Sequence, residues 1–421
     1  MSHDASNSHW LVEQCLARAL DWEPHLQAWV SSLDNPPAMA QPKTPIDGAI
    51  AGVGFAVKDI IDVAGYPTRC GSLAFQDAAP AAGSAPVVAA LNDAGGIGLG
   101  KTTSTEFAFI DPTQTRNPFD VRCTPGGSSS GTGAVVGAHV VPFGLGTQTA
   151  GSLCRPAAYC GAYAYKASLG WWPMQGITPF ARSFDMVGPI AVSMPWLLTV
   201  HDIWAQAFER PLLAEGADLT ERPLVIGVAR SPDQSPSEPV ANAIADAAAR
   251  FKAAGHQVRS FTPEVSFKQI IAAHRQIMLA EAAQDLLPLI GDKRALLGPR
   301  LAEGLQLGET ITQDEVDRQT HWLEQAAESF WRRVEGIDVI LAPPVGSVAP
   351  LGLTTTGDQT YLTPWTSLGG PLVSMPHGLD EEGMPLSVML ASRPGSDASL
   401  LVAANRLDDL LQSVAPPRLP A

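Results

Sequence analysis

The stretch from Pro125 to Pro156 constrains this chain more than any other. It reads Pro-Gly-Gly-Ser-Ser-Ser-Gly-Thr-Gly, then a small-residue apolar run, then Gly-Leu-Gly-Thr-Gln-Thr-Ala-Gly-Ser-Leu-Cys-Arg-Pro. The run between the two Ser/Gly turns is compatible with a helix and a short strand. Glycines at this density let backbone N–H groups approach a bound atom with no Cβ in the way. A serine on such a turn, Ser128 or Ser152, is therefore a candidate nucleophile beside a ready oxyanion site. Turn geometry and helix capping are the other uses of serines so placed.

The rest of the composition bounds the setting. The chain has 421 residues, 45% hydrophobic and only 16% charged, which indicates a globular protein with a large buried core. Its formal net charge of −15 argues against nucleic acid or an anionic membrane as partner, since neither is attracted to such a surface. Five scattered cysteines (Cys15, Cys70, Cys123, Cys154, Cys160) without a CxxC pair make neither a disulfide framework nor a zinc site. The acidic N-terminus does not read as a signal peptide, and no run reaches the roughly eighteen apolar residues of a membrane span. A cytoplasmic protein is expected.

Along the chain, apolar spacing over 8–30 predicts an amphipathic helix ending in the loop Asp34-Asn35-Pro36-Pro37. Strands are expected at 53–57, 97–100, 224–229, 257–261, 339–342 and 386–391. Helices are expected at 84–94, 239–254 and 397–413, with two or three more in 267–333, and a polar loop at 210–222. Strands alternating with helices indicate an α/β fold around a mixed, largely buried sheet. No composition break marks a domain boundary.

Two motifs outside the opening stretch carry chemistry. Gly95 to Thr102 satisfies the P-loop pattern GxxxxGK[ST]. The order of elements is inverted, however: a helix precedes the glycines and an apolar strand lies inside the motif, so nucleotide binding is disfavoured. Lys58 ends the strand Val53–Val57. Most lysines are solvated, but one at the mouth of a buried sheet would be desolvated, which lowers its pKa and lets it act as a base.

Phe55-Ala-Val-Lys58-Asp59, Gly126-Gly-Ser-Ser-Ser-Gly131 and Gly146-Thr-Gln-Thr-Ala-Gly-Ser152 together resemble the amidase signature family, and the intervals between Lys58, Ser128 and Ser152 agree with it. Supporting pieces are Gly100–Phe107, Asn117-Pro118, Ser183-Phe-Asp185 with Gly188-Pro189, Asp338–Pro343 and Gly369–Pro376. The resemblance implies the amidase signature fold, a mixed central sheet covered by helices on both faces, as a single domain over 1–421. Within it, 1–48 is an N-terminal helical segment, 50–200 the catalytic core, 205–335 a less similar segment shaping the pocket, and 336–413 the C-terminal strands and helix. It also implies a Ser–Ser–Lys triad: Ser152 as nucleophile, Ser128 as bridging serine after a cis Gly127–Ser128 peptide, and Lys58 as base. Backbone N–H groups of Thr149, Ala150, Gly151 and Ser152 would form the oxyanion hole. No cofactor and no metal enter this chemistry.

The chain departs from the family pattern twice. Where the family usually has Asp, four residues before the nucleophile, stands Gln148. Where it commonly has Arg, two residues after, stands Cys154, with Arg155 one later. Cys154 reads as a packing residue, since no histidine lies near it in sequence.

The resemblance is strongest to the compact branch that includes indoleacetamide hydrolases, which suggests a small aryl or alkyl amide. Trp171, Trp172, Met174 and Phe180 either line an apolar pocket or are plain core, and Met278 or Leu286 from the 267–333 helices could face it. Alternatives are a carbamate, urethane or urea-type substrate cleaved by the same triad, with ester hydrolysis as a side activity, and a non-catalytic binding or scaffold member of the fold. The glutamine-hydrolysing subunit of tRNA-dependent amidotransferases is a relative that works with partner subunits. The expected partner here is a small-molecule amide or carbamate, and a homodimer is left open.

Overall fold

The computed structural model describes residues 8–30, 48–219 and 222–420. The ten strands are β1 (Gly54–Lys58), β2 (Ile97–Thr102), β3 (Phe143–Gln148), β4 (Tyr163–Lys166), β5 (Met186–Ala191), β6 (Val225–Ala229), β7 (Gln257–Phe261), β8 (Val339–Ala342), β9 (Leu372–Leu379) and β10 (Pro385–Ala391). They form one mixed sheet in the order β2-β1-β3-β5-β4-β9-β10-β8-β6-β7. β1 lies parallel between β2 and β3, and β6 lies parallel between β8 and β7. Every junction from β3 across to β8 is antiparallel.

Every residue of β1, β2, β3, β5 and β8 is buried. Successive strand residues face opposite sides, so unbroken burial means that both faces of the sheet are covered. This is why these segments read as continuous apolar or small-residue runs. β7, at one edge, is largely exposed.

The covering helices are α1 (Val12–Leu26), α2 (Pro86–Asp93), α3 (Ser130–Gly137), α4 (Cys154–Tyr159), α5 (Met194–Ala207), α6 (Glu238–Ala253), α7 (Phe267–Ile290), α8 (Pro299–Gly308), α9 (Gln313–Arg333), α10 (Thr363–Ser367) and α11 (Asp397–Asp408). α1 stops short of residue 30 because Gln27 adopts a left-handed conformation (φ 51°), and the Glu23 carboxylate then accepts the N–H groups of Ala28 and Trp29. The loop expected at Asp34–Pro37 lies outside the described residues. α11 ends at Asp408 rather than at 413, because the chain turns at residues 409–410. The 210–222 loop contains a 3₁₀ turn, Leu213–Leu219.

The P-loop-like residues are core. α2 precedes them, and Gly98, Gly100, Lys101 and Thr102 lie in β2, in register with β1. The buried Lys101 ammonium pairs with Asp59 at 3.1 Å.

α3 holds the centre. All eight of its residues are buried, as expected of a helix with no polar face. Its glycines set the approach of its neighbours: a Cβ on Gly133 would stand 2.8 Å from Pro156 Cβ in α4, and one on Gly137 would stand 2.3 Å from the Cys160 carbonyl oxygen. At Gly131 a Cβ would meet the Ala28 carbonyl oxygen at 2.4 Å and the Thr103 nitrogen at 2.5 Å. Both are backbone atoms that cannot swing aside. Gly131→Ala is therefore expected to cost about 3 kcal/mol, read as a lower urea midpoint; an unchanged midpoint would show that this contact yields freely.

Candidate active site

β1 and β3 are parallel neighbours, with Ala56 opposite Gly144 and Val57 opposite Leu145. Their carboxyl ends bring Lys58 and the Thr147–Gln148 pair to one edge, where α/β sheets commonly place their ligands. Lys58 is fully buried, and its Nζ lies 2.6 Å from Ser128 Oγ and 2.6 Å from Thr147 Oγ1. Burial lowers its pKa to about 7, against the opposing effect of the nearby Asp185 carboxylate. At neutral pH a large share of Lys58 is thus the free amine. In that form its lone pair can accept the Ser128 hydroxyl proton while an N–H stays on Thr147.

The Gly127–Ser128 peptide is cis. Its carbonyl, Gly127 O, accepts from Arg155 Nη2 at 2.6 Å, and the same nitrogen lies 3.4 Å from Thr356 Oγ1. Arg155 is only 1% exposed, and its Nε and Nη1 reach no hydrogen-bond partner among the described residues. Burial lowers its pKa. The shifted arginine therefore braces the turn that carries Ser128.

The second serine turn is tied to the first. Ser129 N–H donates to the Ser152 carbonyl at 3.2 Å. Ser152 keeps 7% exposure while Ser128 has none, so of the two hydroxyl-bearing residues only Ser152 can be approached from outside. The N–H groups of Thr149, Ala150, Gly151 and Ser152 donate to no other described residue. Four unengaged donors beside a serine are an arrangement that can stabilise developing negative charge.

Gln148, a departure in sequence, is a clamp in the structure. Its Oε1 accepts the N–H groups of Leu153 (3.1 Å) and Cys154 (3.0 Å), and its Nε2 donates to Thr366 Oγ1 at 2.9 Å. The loop's start is held separately: Thr149 Oγ1 donates to Asp185 Oδ1 at 2.5 Å, and Asp185 Oδ2 accepts the N–H groups of Phe180 and Ala181. Burial raises the Asp185 pKa to about 6. Cys154 is fully buried, and burial pushes its thiol up to about 12; it is no thiolate at physiological pH.

The four aromatic and Met candidates divide. Phe180 is buried, stacks on Phe109 with ring centroids 5.2 Å apart, and reaches the serine loop through Asp185. Trp172 instead packs on Trp204, His201 and Phe208, in and just after α5. Trp171 lies under the Arg210 guanidinium, and Met174 is half-buried against the core. Met278 and Leu286 are core residues of α7. The residue of α7 that reaches the loop is His274, which sequence reasoning did not single out; Thr147, Thr366 and the role of Asp185 were also missed. Among the described residues no cluster of three His, Cys, Asp or Glu is placed to hold a metal ion, and no helix is long and apolar enough to cross a membrane.

Fold and sequence together define an amidase signature protein. The chain belongs to the Amidase family, whose model matches residues 11–401. Among its relatives is mandelamide hydrolase of Pseudomonas putida, 28% identical over 97% of this chain and 89% of that one. A glutamyl-tRNA(Gln) amidotransferase subunit of Lachnoclostridium phytofermentans is 31% identical, covering 86% of this chain and 84% of that one. In structure the chain is similar to 6-aminohexanoate cyclic dimer hydrolase in complex with its substrate, with TM-score 0.84 and 23% identity over 97% of this chain and 95% of that one; at that identity the likeness concerns the fold.

Proposed function

We propose that this chain hydrolyses a small amide through an acyl-enzyme, with Ser152 as nucleophile, Ser128 as proton relay and Lys58 as base. The observation that carries this reading is the buried Lys58 amine, weakened to about pKa 7 and held 2.6 Å from Ser128 Oγ, beside a serine loop whose N–H groups are unengaged.

The chemistry closes on these groups. Neutral Lys58 takes the proton of Ser128, which takes that of Ser152, and Ser152 Oγ bonds to the substrate carbonyl carbon. The carbonyl π pair moves to oxygen and is stabilised by the Thr149–Ser152 donors. On collapse the C–N bond breaks, and the proton returns from Lys58 through Ser128 to the leaving nitrogen. Water then adds to the acyl carbon, giving its proton to the same relay, which returns it to Ser152 Oγ as the acyl C–Oγ bond breaks and the carboxylic acid leaves.

A small aryl amide is the proposed substrate class. The match to mandelamide hydrolase over nearly the whole chain and the apolar Phe109–Phe180 pair beside the loop support it. The amidotransferase relative is matched as well, so L-glutamine belongs in the test. The experiment is a turnover panel of phenylacetamide, mandelamide, 4-nitroacetanilide, L-glutamine, ethyl carbamate and 4-nitrophenyl acetate, with a fluorophosphonate adduct mapped by mass spectrometry. Aryl amides turned over fastest and an adduct on Ser152 are expected. Fastest turnover of ethyl carbamate or glutamine would replace the substrate class, and an adduct elsewhere would remove the nucleophile assignment.

A further inference from the structure

Three carbonyl groups of the serine loop are engaged, and each is held by a different element. His274 Nε2, on α7, lies 2.9 Å from Thr149 O. Thr366 Oγ1, on α10, donates to Ala150 O at 2.6 Å. Arg155 N–H, on α4, donates to Gly151 O at 3.0 Å. In a planar trans peptide the C=O of one residue and the N–H of the next point in opposite directions. Fixing the carbonyls of Thr149, Ala150 and Gly151 thus fixes the direction of the N–H groups of Ala150, Gly151 and Ser152. Those are three of the four groups that donate to no other described residue. A hydrogen bond accepted by a peptide carbonyl also polarises that peptide and strengthens its N–H as a donor.

We propose that His274 and Thr366 are positioning residues of the oxyanion hole, which hold and polarise the Thr149–Ala150 and Ala150–Gly151 peptides for the transition state. This rests on the reading of Ser152 as nucleophile. Neither side chain touches the reacting atoms; both act through the loop.

The protons required are supplied by the surroundings. A carbonyl oxygen only accepts, so the His274 proton sits on Nε2. Burial lowers the pKa of this histidine to about 4, so it stays neutral and keeps that one tautomer through the working range. Thr366 receives from Gln148 Nε2, which leaves its own hydroxyl proton for Ala150 O. The Gln148 amide is oriented without ambiguity, because Leu153 and Cys154 both present N–H groups to its other atom. The two side chains also come from one packed unit: Phe267 of α7 meets Trp365 of α10 edge to face at 5.5 Å, and Phe184 packs on the His274 ring at 4.2 Å.

The test uses two pairs of variants of the full chain. Thr366→Val and His274→Leu remove the donor at near-constant shape, whereas Thr366→Ser and His274→Gln retain one. With 4-nitrophenyl acetate as probe, Thr366→Val and His274→Leu are each expected to lower kcat about 10- to 100-fold, with KM held within about threefold, somewhat less than the loss of an oxyanion donor itself. The second-order rate of fluorophosphonate attack on Ser152, whose phosphoryl oxygen occupies the same hole, should fall in parallel. Thr366→Ser and His274→Gln should recover most of both. Thermal melts that remain cooperative exclude collapse of the fold as the cause. A kcat kept within twofold in the donor-less variants, a loss carried by KM alone, or donor-retaining variants no better than donor-less ones would each overturn the proposal while Ser152 still labels. An adduct that maps away from Ser152 in the unaltered chain overturns the nucleophile reading instead, and this inference with it.

Discussion

Ser152→Ala is expected to lower kcat for the best amide by about 10⁵- to 10⁶-fold, the scale seen when a serine hydrolase loses its nucleophile. The neighbouring nucleophiles offer no substitute. Ser128 is fully buried and in contact with Lys58, and the Cys154 thiol is both buried and pushed up to about 12. What remains is binding and oxyanion stabilisation, which alone leave about 10³- to 10⁴-fold over water. The melting temperature should hardly move, because Ser152 Oγ donates to and accepts from no other described residue, and it is the Ser152 carbonyl, untouched by the substitution, that meets the Ser129 N–H. Steady-state turnover with a parallel melting curve checks this. Retention of more than about 1% of wild-type activity in a variant free of contaminating enzyme would falsify the nucleophile assignment.

Lys58→Met is the second large effect and moves activity and stability in opposite directions. Acylation should fall about 10³- to 10⁵-fold, because the relay through Ser128 then has no terminus for its proton. In the unaltered chain kcat/KM should rise with pH through about 7, as Lys58 loses its proton, and then level off; in Lys58→Met that limb should vanish. Stability follows from the same shift. The folded-state pKa of about 7 lies below the ordinary 10.5, so between these values the unfolded chain holds a proton that the folded chain lacks. The contribution of this lysine to stability therefore rises as pH increases across that window, by roughly 5 kcal/mol at 1.36 kcal/mol per unit. Methionine removes the penalty. Lys58→Met should gain more stability at pH 6 than at pH 9, measured by urea unfolding at the two values. An equal gain at both would mean that the buried amine is not the cause.

Much of the site was legible because its chemistry is compressed into short motifs. Lys58, Ser128 and Ser152 each sit in a run whose glycines and polar residues make little sense as ordinary core, and the parallel pairing of β1 with β3 brings distant motifs together. Strands buried on both faces, such as Val225–Ala229 and Val339–Ala342, also announce themselves as apolar runs. Others do not. β3 (Phe-Gly-Leu-Gly-Thr-Gln) and β5 (Met-Val-Gly-Pro-Ile-Ala) carry residues of low strand propensity, and tertiary packing imposes the conformation. α7 buries residues from Phe267 and Ile270 to Leu286 and Ile290 and exposes Lys268, Arg275 and Gln276, yet apolar Ala272 and Leu289 are exposed as well, so no clean apolar stripe in the sequence marks a site-facing side.

The anchors of the loop were illegible for a different reason. His274 lies 125 positions from Thr149, and Thr366 lies 216 from Ala150. Each is one polar residue among several on its helix, with nothing in the sequence to set it apart, and only the folded chain shows that both end on consecutive carbonyls. Gln148 and Arg155 were visible as departures, but their meaning was not: one turns out to tie the loop's end to α10, the other to hold Gly127 O.

The clamp at Gln148 gives a hydrogen-bond chain a direction. An amide can accept through one atom and donate through the other, so protons point from Gln148 to Thr366 and from Thr366 to the Ala150 carbonyl. A carboxylate at this position could still receive Leu153 and Cys154, but it has no proton to pass on. It would draw the Thr366 hydroxyl toward itself and release the Ala150 carbonyl. Position 148 thus sets the polarity of a circuit that ends on the Ala150 carbonyl of the serine loop. The neutral pair Gln148–Cys154 is a rewiring of the loop, in which exchanging a single nitrogen for oxygen reverses which way a distant hydroxyl faces.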